Sequence, residues 1–478
     1  MVVEGTEDHV HSTLQSRVVE PLRRLIETLP NFTRQQQLLL LQQCFGFPRL
    51  AYYLQSCPPA QTHALTLEVD ALMRCAVAEG LDIPLETLQM PIPKALLHLP
   101  TRSRGLGITS AAMVAPGAYL ASSLHCSAHL APLIARRSRN GAVREALATD
   151  MFLEDALQRY NALLPAVGQL QVPLQQRRQQ EFTAAVNAHL LQQVLDHVDS
   201  VASDEDRSYM TTLLAEFSHP TSGAWLRARP REAHEWASDE QVRVKVLWRL
   251  LLPVMSVGAC PLCRAQCDKW GRHALSCNKT APLPPHQGRR PGPANSLDKR
   301  PLSNVSRHDD ITNLLAAEAR RSGVFDRVEV EPEGLYDPPH QALRPDYVTY
   351  TEHGRPVVVD VMCPNSLAHK LDRHGAPKAM NVAANRKHRT HDDPCRAAHL
   401  RFTPFAVSLF GVYHKEAAEE LKRLARASVS RDPRLVYSQH VHRLRVKVVN
   451  VLGNAAAEAV IRRHSDQGEF FRLLRRPY

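Results

Sequence analysis

The stretch RPDYVTYTEHGRPVVVDVM, residues 344–362, decides how the second half of the chain is read. A polar-apolar alternation opens it, Glu352, His353 and Gly354 make a turn, and a run of valines closes it around Asp360. This pattern predicts a β-hairpin with Asp346 at the start of its first strand and Asp360 inside its second. A carboxylate in a buried valine strand needs a partner or a cation. Two aspartates opposite each other can share a divalent ion, which offsets their repulsion, polarises a scissile phosphate and activates a water.

Elements on either side can complete such a site. Ile311, Leu314 and Leu315 mark the buried stripe of a helix, and Glu318 falls on the same stripe, a candidate to reach the ion. Pro377 suits a first helical turn, after which Met380, Ala383, Ala384, Lys387 and His391 share one face. Lys387 is thereby expected to point inward, where an ammonium stabilises phosphate charge or orients the attacking water. From Arg307 to about Ser428 the order reads helix, three strands, helix, strand, helix.

Upstream lies Cys260-x2-Cys263-x9-His273-x3-Cys277, the spacing of a closed tetrahedral site with three thiolates and one imidazole. Soft ligation of this kind suits a structural Zn2+, and Cys267 is a spare ligand. Arg264, Lys269, Trp270 and Arg272 surround the cluster with positive charge and one aromatic, as a nucleic-acid strand would require. The remaining six cysteines are scattered, which argues against a disulfide framework.

The first half reads mostly helical. Val18, Leu22, Leu25 and Ile26 recur at helical spacing, as do Leu38, Leu41, Cys44 and Phe45. Leu190, Leu191, Val194, Leu195 and Val198 make a later stripe, and residues 103–107 form a loop with two glycines. A Pro-rich stretch follows the cysteine cluster. The last fifty residues read as a basic helix, with Arg443, Arg445 and Lys447 among valines. With 478 residues the chain is long enough for several domains, and a formal charge of +11 favours a polyanionic partner. No apolar run is long enough to cross a bilayer and the N-terminus lacks a signal-peptide core, so neither a membrane nor a secreted protein is expected.

Taken together, Asp346, Asp360 and Lys387 resemble the restriction-like endonuclease of site-specific non-LTR retrotransposons, a branch of the PD-(D/E)xK nucleases. That family places a Cys-Cys-His-Cys knuckle before Arg/Lys-Pro-Asp and a second acidic residue. Here Arg344-Pro345-Asp346 stands intact, thirteen residues separate the aspartates, and Arg307-His308-Asp309 falls between knuckle and hairpin. Residues 402–411 resemble the strand after the Lys-bearing helix, and residues 47–59 and 105–111 resemble the segment after a polymerase palm.

The resemblance implies a multidomain protein with a mostly α-helical N-terminal half, a zinc knuckle and an α/β restriction-endonuclease-like domain carrying a small mixed sheet. Its parts are a thumb-like helical region (1–135), a helical linker region (136–255), the knuckle (256–280), the Pro-rich linker (281–306), the endonuclease domain (307–428) and a basic helical tail (429–478). It implies Mg2+ or Mn2+ on Asp346 and Asp360, help from Glu318 and Lys387, and a backbone contact from Arg344. The expected partner is DNA, with the element's RNA beside it, and the expected location is the nucleus. Met362 stands two residues after Asp360, where the wider nuclease group has Lys, and His391 stands near the place of a Tyr. No aromatic residue precedes Asp309-Asp310 or Asp392-Asp393 as a polymerase palm requires, so no polymerase activity is expected. The alternative expectation is a catalytically inactive nucleic-acid-binding derivative.

Overall fold

The computed structural model describes residues 7–137, 151–172, 174–175, 177–228, 236–277, 304–352, 354–368 and 375–463. The Pro-rich stretch through residue 303 and the end of the tail after 463 lie outside them. The described chain forms two compact units that meet at Ser200 and Val201. The helical segment expected over 136–255 is therefore divided between the units.

The first unit is all helical. Its long helix Pro59–Leu81 buries Leu65, Val69, Met73 and Val77 at four-residue intervals, a single stripe facing the other helices. Asp70 lies on that helix, buried, and caps the start of helix Ala111–Arg137. Its carboxylate accepts hydrogen bonds from Ser110 Oγ at 2.5 Å and from the amides of Ala111 at 2.7 Å and Ala112 at 3.3 Å. An acidic group at a helix N-terminus satisfies orphan donors and opposes the positive end of the dipole. Asp70→Ala strands three donors in the interior and is expected to cost about 2–3 kcal/mol, read as a lower melting temperature. An unchanged melt would show that the cap carries no stability. The glycine loop is as tight as its sequence suggests, since a Cβ on Gly105 would lie 2.0 Å from the Leu99 carbonyl oxygen.

The second unit is built on a four-stranded mixed sheet. In order along this unit, its helices are α1 (Asp204–Phe217), α2 (Asp239–Arg249), α3 (Arg272–Ser276), α4 (Asn304–Ser322), α5 (Gly375–Ala397), α6 (Lys415–Arg431) and α7 (Tyr437–Ile461). A two-residue hairpin, β1 (Gly258–Ala259) and β2 (Gln266–Cys267), precedes α3. The main sheet has the order β3 (Arg327–Val330), β4 (Tyr347–Thr351), β5 (Gly354–Met362), β6 (Arg401–Ala406). Its first two pairings are antiparallel, and β5 pairs with β6 in parallel across the α5 crossover.

The element order from α4 to α6 is the one expected. The valine run of β5 is covered by helices, with Val358, Val359 and Val361 all buried, which is why it is apolar throughout and not alternating. Pro404 sits in β6, an edge strand, where the missing N–H costs no ladder bond to a further strand.

One segment differs from the expectation. The basic helix is no tail: α7 packs on α2, α4 and α6 and buries Leu444, Val448, Val449 and Leu452. Its cations Arg443, Arg445 and Lys447 are half-buried, and Lys447 pairs with Glu318 of α4 at 3.2 Å. Helix α2 is buried from Val242 to Arg249, so Lys245 and Arg249 are carried inside with Val246 and Trp248. Lys245 donates to Asn454 Oδ1 at 2.9 Å and lies over the Trp225 ring, and Arg249 lies over Phe217. Packing of α2 on α7 overrides the usual exposure of such residues.

Glu216 on α1 is wholly enclosed, and burial raises its carboxyl to about 7 against the opposing hydrogen bond from Ser408. A folded-state pKa above the unfolded one means that the native state holds its proton longer. Stability is full below the unfolded pKa near 4.5 and falls as pH rises to 7. Glu216→Gln is expected to abolish this slope and to gain on the order of 3 kcal/mol over wild type above pH 7. Urea unfolding at pH 5 and pH 8 checks it; parallel pH profiles for the two proteins would disprove it.

Candidate metal centres

Among the described residues, two clusters of ligand-type side chains emerge, both in the second unit. In each, the ligand atoms lie within 4.8 Å of one another.

The first contains Cys260, Cys263, His273 and Cys277, the four residues picked out by spacing. The β1–β2 hairpin presents the first two, closed by Arg264 in the left-handed region. Asp268 then builds the return: its carboxylate accepts from the amides of Trp270 at 2.9 Å, Arg272 at 3.1 Å and His273 at 3.0 Å, which starts α3. Helix α3 carries His273 inward and ends at Cys277. The His273 Nε2 to Cys263 Sγ distance is 3.1 Å. Burial opposes ionisation of Cys260, but backbone amides of Cys263 and Leu262 outweigh it and hold the thiol below its ordinary range. The set is compatible with zinc. Cys267 is buried beside it, outside the four, and burial pushes its thiol up to about 12.

The basic and aromatic residues around this cluster mostly face the protein. Trp270 is 1% exposed, and its indole N–H donates to Asp206 Oδ1 at 2.9 Å, so the ring offers no face to a base. Lys269 pairs with the same Asp206 at 2.7 Å and Arg272 donates to the Tyr209 hydroxyl. These three contacts fasten the knuckle to α1. Arg264 is exposed, as is Arg344, which pairs with Glu333 at 3.0 Å.

The second cluster contains Asp346, Asp360 and His308. Tyr347 pairs with Val359 across the hairpin, and the Asp346 amide donates to the Val359 carbonyl. Side chains alternate along a strand, so Asp346, Val348, Val358 and Asp360 fall on one face of the sheet. Tyr347 falls on the other, where its hydroxyl donates to Glu420 on α6 at 2.8 Å.

Helix α5 supplies the partners of Asp360: Lys387 Nζ and His391 Nε2 each lie 2.7 Å from its Oδ2. His391 stacks on Phe402 and faces the Tyr336 hydroxyl at 3.4 Å. Asp346 accepts from the Val361 amide and from His308 Nε2 at 2.8 Å.

Burial disfavours both charges, and the two carboxyls split. Burial and the neighbouring Asp360 raise Asp346, with His308 opposing. For Asp360, burial is outweighed by His391, Asp346 and Lys387, which lower it. Burial also opposes the charge on His308, but Asp346 and Asp309 carry it up to about 9. The charge on each carboxyl disfavours that on the other, and a cation between them would offset the repulsion.

Glu318 is not in this cluster. Its carboxylate is buried against Lys447 at 3.2 Å and Arg321 at 2.5 Å. The hydrophobic stripe of α4 faces α6 and α7 as well as the sheet, and at Glu318 the neighbour is α7. His308 was not assigned a role from sequence. The signal was present: His308, Ile311 and Leu315 keep helical spacing, which puts the imidazole on the buried stripe.

Compared with known proteins, the chain matches no family model and no curated protein. Among the described residues, no helix is long and apolar enough to cross a membrane.

Proposed function

We propose that the chain is a metal-dependent endonuclease of retroelement ancestry that acts on DNA in the nucleus. The observation that carries this is the convergence of Asp346, Asp360 and His308 beside Lys387. Two carboxylates and an imidazole suit Mg2+ or Mn2+, and the imidazole weights the choice toward Mn2+. Such an ion, when bound, polarises a phosphodiester and lowers the pKa of an attacking water. The chain's own residues do the rest. Asp346 and Asp360 are held at fixed register by β4 and β5. Lys387 is 24% exposed, open enough to meet a phosphate oxygen, and its charge stabilises the transition state there. His391, wedged between Phe402 and Tyr336, keeps the Asp360 carboxylate aimed. The Cys260–Cys277 cluster, loaded with Zn2+, is a structural unit.

The test is conversion of supercoiled plasmid to nicked circles by the purified chain with Mg2+ or Mn2+. Activity in either metal, lost in Asp346→Asn, is the expected result. Intact plasmid in both metals would overturn the cutting role.

One observation favours a second reading, a non-cutting nucleic-acid-binding protein. Asp360 is already engaged by the Lys387 ammonium and the His391 imidazole, and Met362 takes the place of a further lysine. This reading expects binding that is steep in salt and unchanged by Asp360→Ala.

A further inference from the structure

A second basic feature lies apart from both ligand clusters. Helices α4 and α7 and the segment ending at Arg227 enclose a groove of about 850 Å3. Arg227, Arg321, Arg434, Arg443 and Lys447 line it with Glu318, and Arg434 pairs with Asp432 at its edge, which leaves an excess of three positive charges. Glu318 engages Lys447 and Arg321, whereas Arg227 and Arg443 make no ion pair among the described residues. Burying part of such a surface without counter-charge is unfavourable, so its natural complement is an anion.

The groove also offers directional groups. Positions 439, 443, 446, 450 and 454 recur every three or four residues, so they share one face of α7. That face runs for about 22 Å at 1.5 Å per residue, far longer than a single phosphate needs. Amides of Gln439, Asn450 and Asn454 sit among the cations. Asn450 Oδ1 and His440 Nε2 are buried and have no hydrogen-bond partner. Buried polar atoms of this kind are normally satisfied.

We propose that this groove seats one single strand of nucleic acid. The arginines take phosphates spaced along the trough, and the amides and His440 meet sugar and base edges. An extended single strand can follow the length of α7. The assignment goes beyond the cutting reading. It is measured without added divalent ion, so its failure and the failure of the nuclease are separate results.

The experiment is fluorescence anisotropy of a labelled 20-nucleotide oligodeoxynucleotide with the full chain. Arg227→Gln/Arg443→Gln is expected to weaken binding about tenfold and to flatten the slope of log K against log salt by about 1.4. A control with equal charge loss in the other unit, Arg24→Gln/Arg49→Gln, is expected to bind as wild type does. A groove variant that binds normally overturns the proposal, as does an equal loss in the control. A photo-reactive thymidine strand on the unaltered protein gives a readout independent of variant folding. Crosslinks within residues 436–454 support the seat, and crosslinks confined elsewhere refute it. Polyglutamate that competes as well as the oligonucleotide would make the occupant an acidic protein instead.

Discussion

Asp360→Ala is expected to abolish metal-dependent nicking, while Lys387→Ala lowers it by about two to three orders of magnitude and leaves metal affinity nearly intact. The difference follows from where each group acts. Asp360 is 3% exposed on a central strand and belongs to the ligand set, so its loss removes a donor that no neighbour replaces. Lys387 stands outside that set, on α5, and touches the site through the Asp360 oxygen at 2.7 Å. Deleting Asp360 also leaves the Lys387 ammonium without its counter-charge and the His391 ring without its hydrogen-bond acceptor. A melting curve for each variant separates lost chemistry from lost folding. The isosteric Asp360→Asn provides a milder control, keeping the shape while withdrawing the charge. Manganese binding read by electron paramagnetic resonance should vanish with Asp360→Ala and persist with Lys387→Ala. Equal nicking by wild type and Asp360→Ala would end the cutting reading.

Zinc removal is the second large effect expected. The knuckle is fastened to its unit by bonds that need its folded backbone. Arg307 donates to the Leu275 carbonyl at 2.7 Å, and Arg463 donates to the Cys277 carbonyl at 2.9 Å. Asn365 donates to Ser276 Oγ at 2.8 Å and Trp248 to the Trp270 carbonyl at 3.0 Å. Releasing an ion from three thiolates and an imidazole leaves those groups crowded without a counter-charge, and these contacts loosen with them. A strong chelator is expected to lower the melting temperature by roughly 10 °C or more, reversed by added Zn2+. Cys263→Ser should melt like the chelated protein. Arg307 adjoins His308, so nicking should fall together with the knuckle. Identical melts with and without chelator would remove zinc from the account.

Local signals located much of this. The hairpin and its paired aspartates follow from strand periodicity and a turn. The cysteine cluster follows from ligand spacing, and Lys387 from a three- and four-residue stripe that holds in α5. Other residues misled because their signal was incomplete. Trp270 lies in a basic setting that resembles a stacking platform, yet Asp206, more than sixty residues earlier, captures its N–H. Glu318 lies on a buried stripe, but a stripe specifies burial and not the neighbour. The basic face of α7 was visible; that its other face fills the core was not, because the helices it meets lie far away in the chain.

What the sequence determined by itself was the set of local periodicities and spacings: which residues share a strand face, a helix stripe or a metal knuckle. Those depend on backbone geometry that repeats every two or 3.6 residues. What only the tertiary structure decided was which faces meet. His308 joins the aspartates, Glu318 goes to Lys447, and the knuckle's aromatic turns inward. Such pairings are set by packing between segments distant in sequence, where burial and charge choose among partners that composition leaves equivalent.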